Sequence, residues 1–202
     1  GALYLRYFGP ALEEGVDGGA PKKPRLYGTF RWGNTRFFML NAMDDWGRGE
    51  EKAWLAGELA KADKEDGLAW RVAVMHHSPW SSGPHGRNAR MHDAGVVQML
   101  KAGKIDLFVG GHDHLYERGD ADGAKYVVSG GGGAPLYEIK SRLPFSRKAE
   151  SARHVVEAHV TKDSFRLVAT RVDGSTLDGC GFSKAAPGWD CDAPPPTSFD
   201  AG

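Results

Sequence analysis

Two short stretches concentrate the residues able to do chemistry. VMHHSPWSSGPHG carries His76, His77 and His85, and VGGHDHLYER carries His112 and His114. Each follows an apolar run that reads as a buried strand, Trp70 to Met75 in the first case and Ile105 to Val109 in the second. In open α/β sheets, ligand sites form outside the carboxyl ends of strands. Neutral imidazole ligates zinc, iron and other first-row ions. Gly110 and Gly111 leave room for backbone to approach such an ion. Alternation along extended backbone would put His112 and His114 on one side and Asp113 on the other. Three imidazoles from two strand ends begin a metal site, but hydrolysis also calls for carboxylates, often bridging two ions. His92, His154 and His159 stand alone in the sequence and read as satisfied or solvated side chains.

The elements that must position these histidines can be read in outline. Glu13 to Pro24 is a loop by composition. Arg25 to Leu40 reads as a hairpin around the turn pair Gly33-Asn34. Trp54, Leu55, Leu59 and Ala62 repeat at helical spacing and predict a helix over Glu50 to Asp63. Asp93 suits the N-cap of a helix carrying Val96, Val97 and Leu100 and ending near Gly103. Tyr126 to Ser129 is a further strand. His154 to Val160 and Phe165 to Val172 alternate around TKDS as a second hairpin, and the chain after about Asp173 reads as irregular, closing in APPPTSFDAG. A hairpin followed by strand–helix–strand units and more hairpins fits an α/β sandwich with a mixed sheet.

Composition narrows the function class. The 202 residues hold 26 basic and 26 acidic side chains, so no single-sign field favours nucleic acid or an anionic membrane. No apolar stretch approaches the roughly 20 residues of a spanning helix. The opening GALYLRYFGP has no signal-peptide pattern and starts abruptly in strand-like sequence, so the natural N-terminus is expected to lie elsewhere. Cys180 and Cys191 lie close together in a turn-rich segment. They read as a local disulfide, which would imply an oxidising compartment, extracellular or periplasmic; two free thiols are the plainer reading.

VMHHSPWSSGPHG and VGGHDHLYER resemble the last two metal-binding blocks of the calcineurin-like metallophosphoesterases, and most closely those of the purple acid phosphatase branch. YVVSGGGGAPLY and the hairpin ending in VDGSTLD resemble the tail of that branch. The likeness runs from about Leu26 to Asp178. It implies an αββα sandwich, of which this chain supplies mainly the C-terminal half as residues 1–178, with 179–202 an irregular tail. It implies a hydrolase acting on phosphate esters, most simply monoesters, at a centre of two divalent or trivalent ions drawn from Fe, Zn and Mn. His112 would bind one ion and His114 the other. The ligand joining His112 is His76 or His77. The family's aromatic four residues on and substrate-contacting histidine about nine residues on match Trp80 and His85 when the ligand is His76, leaving His77 as a neighbour or a substrate contact. His85 would hold the phosphate and protonate the leaving oxygen. Arg118 would pair with a carboxylate behind the histidines.

The family's three earlier blocks, with their aspartate and asparagine ligands, are not found in the chain. Gly33-Asn34 is followed by Thr35 and belongs to a hairpin turn, and Asp44 and Asp45 are not read as ligands. The expectation is therefore half of a site, completed by an N-terminal half on the same precursor or on a separate chain. The alternative is a non-catalytic binding module derived from the same fold.

Overall fold

A computed structural model of the chain describes residues 26–47 and 49–192. The Glu13–Pro24 loop and the closing APPPTSFDAG lie outside the described residues. The first hairpin is formed by β1 (Gly28–Trp32) and β2 (Thr35–Leu40), which pair antiparallel so that Trp32 faces Thr35. Gly33 at its turn has φ +57°, a conformation that favours glycine.

Helix α1 (Glu50–Ala62) carries the chain across to β3 (Trp70–His77), parallel to β2. Two short helices, α2 (Ala89–Asp93) and α3 (Val96–Ala102), carry it on to β4 (Leu107–Gly111), parallel to β3. β5 (Tyr116–Ala121) pairs antiparallel with β6 (Ala124–Ser129) and with β7 (Ser146–Glu150), while β6 lies parallel to β4. The seven strands run in the order β1-β2-β3-β4-β6-β5-β7. A second, antiparallel sheet holds β8 (His154–Val160), β9 (Ser164–Arg171) and β10 (Thr176–Ser183), in the order β10-β9-β8.

Strand alternation explains the layering. Ala73, Met75 and Phe108 face the helices and pack with Leu55, Leu59, Val97 and Leu100. Their neighbours Val72 and Leu107, with Trp70 and Val127, face the second sheet and pack with Phe165, Leu167, Ala169 and Phe182. The central strands are therefore covered on both sides, and this is why they read as near-continuous apolar runs. The described residues form helix, sheet and sheet layers of a mixed α/β sandwich, as the sequence implied. Among them no helix is long and apolar enough to cross a membrane.

Two local expectations are corrected. Asp93 caps nothing: it ends α2, whose N-cap is Asn88, with the Asn88 side chain accepting the Met91 N–H at 3.3 Å. The chain then reverses through Gly95 at φ +72° before α3 begins. The segment after Asp173 is not irregular, because Thr176–Ser183 is an eight-residue strand. Gly179, Gly181 and Asp178 are poor strand formers, and long-range pairing with β9 overrides that preference. A side chain at Gly181 would meet the Phe165 carbonyl at 3.0 Å, so the close pairing itself calls for glycine. Cys180 and Cys191 form a disulfide, and Gly181 and Asp190 exchange two backbone hydrogen bonds of 2.7 Å beside it.

Candidate functional site

β3 and β4 are adjacent and parallel, so their carboxyl ends bring the two histidine stretches together. His112 is the hub. Its Nδ1 lies 3.0 Å from His76 Nε2. Its ring centroid is 4.9 Å from that of His76, 4.6 Å from His77 and 4.2 Å from His85. Close approach of backbone makes this possible. A side chain at Gly110 would sit 2.7 Å from the Ser78 Cα, so only glycine lets β4 pass the turn after His77. Burial, followed by the neighbouring imidazoles of His85, His77 and His76, pushes His112 below its ordinary pKa. That favours the neutral ring, which is the form that ligates.

The alternation expected for His112, Asp113 and His114 does not hold. β4 ends at Gly111, and His112 takes the left-handed conformation at φ +69°. Short backbone bonds, Asp113 N–H to Gly111 O and Leu115 N–H to Asp113 O, both 2.8 Å, fold the segment into bends. His114 is thereby carried to a different neighbour. Its ring stacks on Tyr137 at 4.1 Å, and its Nδ1–H donates to the Pro135 carbonyl at 2.7 Å. That bond fixes the tautomer and leaves Nε2 as the free lone pair, the usual arrangement behind a ligating histidine. Tyr137 also faces His85, with centroids 5.5 Å apart, so the rings run His76, His112, His85, Tyr137, His114 around one edge of the site.

The loop between β3 and α2 is fastened by buried carboxylates. Glu117 accepts the Ser82 N–H at 2.6 Å, the Ser82 hydroxyl at 2.7 Å and the Tyr126 hydroxyl at 2.8 Å. Asp113 accepts from His85. His77 Nε2–H donates to the Gly86 carbonyl at 3.3 Å, and His92 Nε2–H to the Pro79 carbonyl at 2.9 Å beside the Trp80 ring. His92 is therefore structural, and so is His154, which is buried between the Ala152 carbonyl and the Ser129 hydroxyl.

Arg118 does find a carboxylate, but on the other sheet. Its Nε donates to Asp178 at 2.6 Å, Tyr116 donates to the same carboxylate at 2.8 Å, and the guanidinium lies 5.0 Å from the centre of the Trp189 ring. Its work is to tie β5 to β10 rather than to support the histidines.

The fit to a metal ion is partial. The 3.0 Å between His76 Nε2 and His112 Nδ1 is a span that one ion bridges at about 2.0–2.1 Å from each nitrogen. Among the described residues, no three His, Cys, Asp or Glu side chains converge to hold one. Sequence reasoning found the histidines and set Asp113 apart from them, but gave no site role to Tyr137. Tyr137 closes the YVVSGGGGAPLY stretch, whose likeness to the family's tail said nothing of a ring at the site.

No protein-family profile matches the chain. Purple acid phosphatase 3 of Arabidopsis thaliana is 32% identical over 131 residues, covering 61% of this chain and 35% of that protein. Purple acid phosphatase 7 of the same plant is 24% identical over 124 residues, covering 60% and 38%. The chain thus spans little more than a third of the length of these curated relatives. Among solved structures, purple acid phosphatase PPD1 from yellow lupin (Lupinus luteus) seeds superposes with a TM-score of 0.67 at 22% identity, over 81% of this chain and 34% of that one. PhoD superposes with a TM-score of 0.61 at 16% identity, over 89% and 46%. The relatives of this chain include purple acid phosphatases, and its mixed sheet is that of the metallophosphoesterase fold.

Proposed function

We propose that this chain is the C-terminal part of a metal-dependent phosphoesterase that hydrolyses phosphate monoesters. The observation that carries the reading is the convergence of His76, His77 and His85 on His112 at the ends of two adjacent parallel strands, with His76 and His112 nitrogens 3.0 Å apart. In this reading His76 and His112 share one ion and His114 offers its free Nε2 to a second. The carboxylate ligands come from an N-terminal half, on the same precursor or a separate chain. The ions, drawn from Fe, Zn and Mn, supply charge against the phosphate and lower the pKa of a water. His85 contacts the phosphate and gives a proton to the leaving oxygen as the phosphorus–oxygen bond breaks. His77 borders the phosphate, with its own ring held by Gly86. The disulfide accords with an extracellular or periplasmic setting.

The test uses the protein together with its N-terminal half. His112→Ala and His114→Ala each lower bound metal and cut turnover of p-nitrophenyl phosphate by several orders of magnitude. His85→Ala lowers turnover and leaves the metal in place. Unchanged turnover in the first two variants refutes the reading. The absence of a three-donor group among the described residues favours a second reading, a binding module without catalysis. Metal analysis separates the two, because the module would hold no ions even when its other half is present.

A further inference from the structure

We infer that Asp113 is a positioning residue for His85, fixing which ring nitrogen faces the site. Asp113 lies between His112 and His114, and its side chain is fully buried. Its Oδ1 accepts the backbone N–H of His85 at 3.1 Å and the His85 ring at Nδ1, 2.7 Å away. The oxygen that accepts the backbone N–H accepts at the ring as well, so Nδ1 carries a hydrogen and Nε2 is the nitrogen turned to the site, bare in the neutral ring and carrying the transferable proton in the protonated one. A carboxylate beneath an imidazole sets its tautomer and its orientation together. The ring so held remains 40% exposed and sits between His112 and Tyr137.

Two observations separate positioning from mere support of the loop. Glu117 already fastens the loop at Ser82 through two hydrogen bonds, three residues before His85. Asp113 is also a poor way to fill space. Its Oδ2 is buried without a partner, an arrangement that costs stability and that an apolar side chain would avoid. The loop is shaped to let the carboxylate in. A side chain at Gly83 would come within 2.6 Å of the Asp113 Cβ, so glycine is required where the loop crosses it. What Asp113 adds beyond anchoring is the direction of the His85 ring.

The inference rests on the reading of His85 as the residue that meets substrate, and its test has an arm that does not. Long-range ¹H–¹⁵N correlation spectra of the 202-residue chain at pH 8, where imidazole is neutral, should show His85 as the Nδ1–H tautomer. Asp113→Ala should move it toward the Nε2–H tautomer that free imidazole prefers, with the His154 signals unchanged. In the protein with its N-terminal half, Asp113→Ala should lower kcat 10- to 100-fold at unchanged KM and metal content. It should have no further effect when His85 is already alanine. An Nε2–H ring in the unaltered chain overturns the inference. So does an equal kcat loss in the His85→Ala background, or a loss of metal in Asp113→Ala. If the unaltered protein turns over no phosphate ester, the phosphoesterase reading falls, and the spectra alone decide the Asp113–His85 pair.

Discussion

Replacing Glu117 by alanine tests whether the His85 loop is held by chemistry or by its neighbours' bulk. Glu117 is fully buried on β5 and accepts three hydrogen bonds, from the Ser82 N–H, the Ser82 hydroxyl and the Tyr126 hydroxyl. Ser82 Oγ in turn accepts the Leu143 N–H at 2.9 Å, so the same carboxylate braces the segment that follows Tyr137. A hydrogen bond to a charged group contributes about 1.5–3 kcal/mol, but bonds that share one acceptor are not additive. We expect Glu117→Ala to cost about 3–5 kcal/mol, in line with breaking a buried polar network by removing one partner. For a chain of this length that is a fall in Tm of about 6–20 °C. Glu117→Gln should be far milder, about 1–2 kcal/mol. Its carbonyl can take the Ser82 N–H while its amide donates to the two hydroxyls, each of which can turn to accept. Denaturant unfolding gives the magnitudes, and hydrogen exchange at the Ser82 amide reports the loop itself. Alanine within about 1 kcal/mol of the parent, or glutamine as costly as alanine, would refute the reasoning.

Burial, against an opposing hydrogen bond from the Asn41 N–H and with a further push from Asp44, raises Glu51 from 4.5 to about 8. The folded chain therefore keeps that proton where the unfolded chain has lost it. Stability from this group is greatest below pH 4.5 and declines as pH rises toward 8. Glu51→Gln should flatten the unfolding free energy between pH 5 and 8, and a slope that persists in the variant would show that other groups set it. The Cys180–Cys191 disulfide closes a sequence separation of 11, for which the chain-entropy relation gives about 3 kcal/mol. Reduction should lower Tm by several degrees, and an unchanged Tm would mean that β10 is held by its pairing with β9 alone.

The parts of this molecule that could be read from the sequence are those set by local pattern. The strands before His76 and His112 announced themselves because burial on both faces demands unbroken apolar runs, WRVAVM and LFV. The Gly33-Asn34 turn was legible because its backbone conformation is one that few residues adopt. β10 was not legible. Its strand character comes from β9 across the ladder and from the tie of Asp178 to Arg118 and Tyr116, and neither is local.

The candidate site divides along the same line. Residue type and strand ends were enough to name five histidines, yet the rule of alternation failed at the point where it was used to place two of them. His112 at φ +69° breaks the extended backbone, so the bends that follow it, and not strand alternation, set where the next side chains go. The outcome is a division of labour that alternation could not have produced. His112 turns back to the β3 histidines, Asp113 goes beneath the loop to hold His85, and His114 swings out to Tyr137. A straight GHDH segment would have left His85 without its carboxylate. The strained histidine is therefore the residue that lets three consecutive positions serve different parts of the candidate site. The cost of holding a non-glycine residue in that conformation is met by the short backbone bonds that flank it and by the buried side chain of Leu115, which anchors the far end.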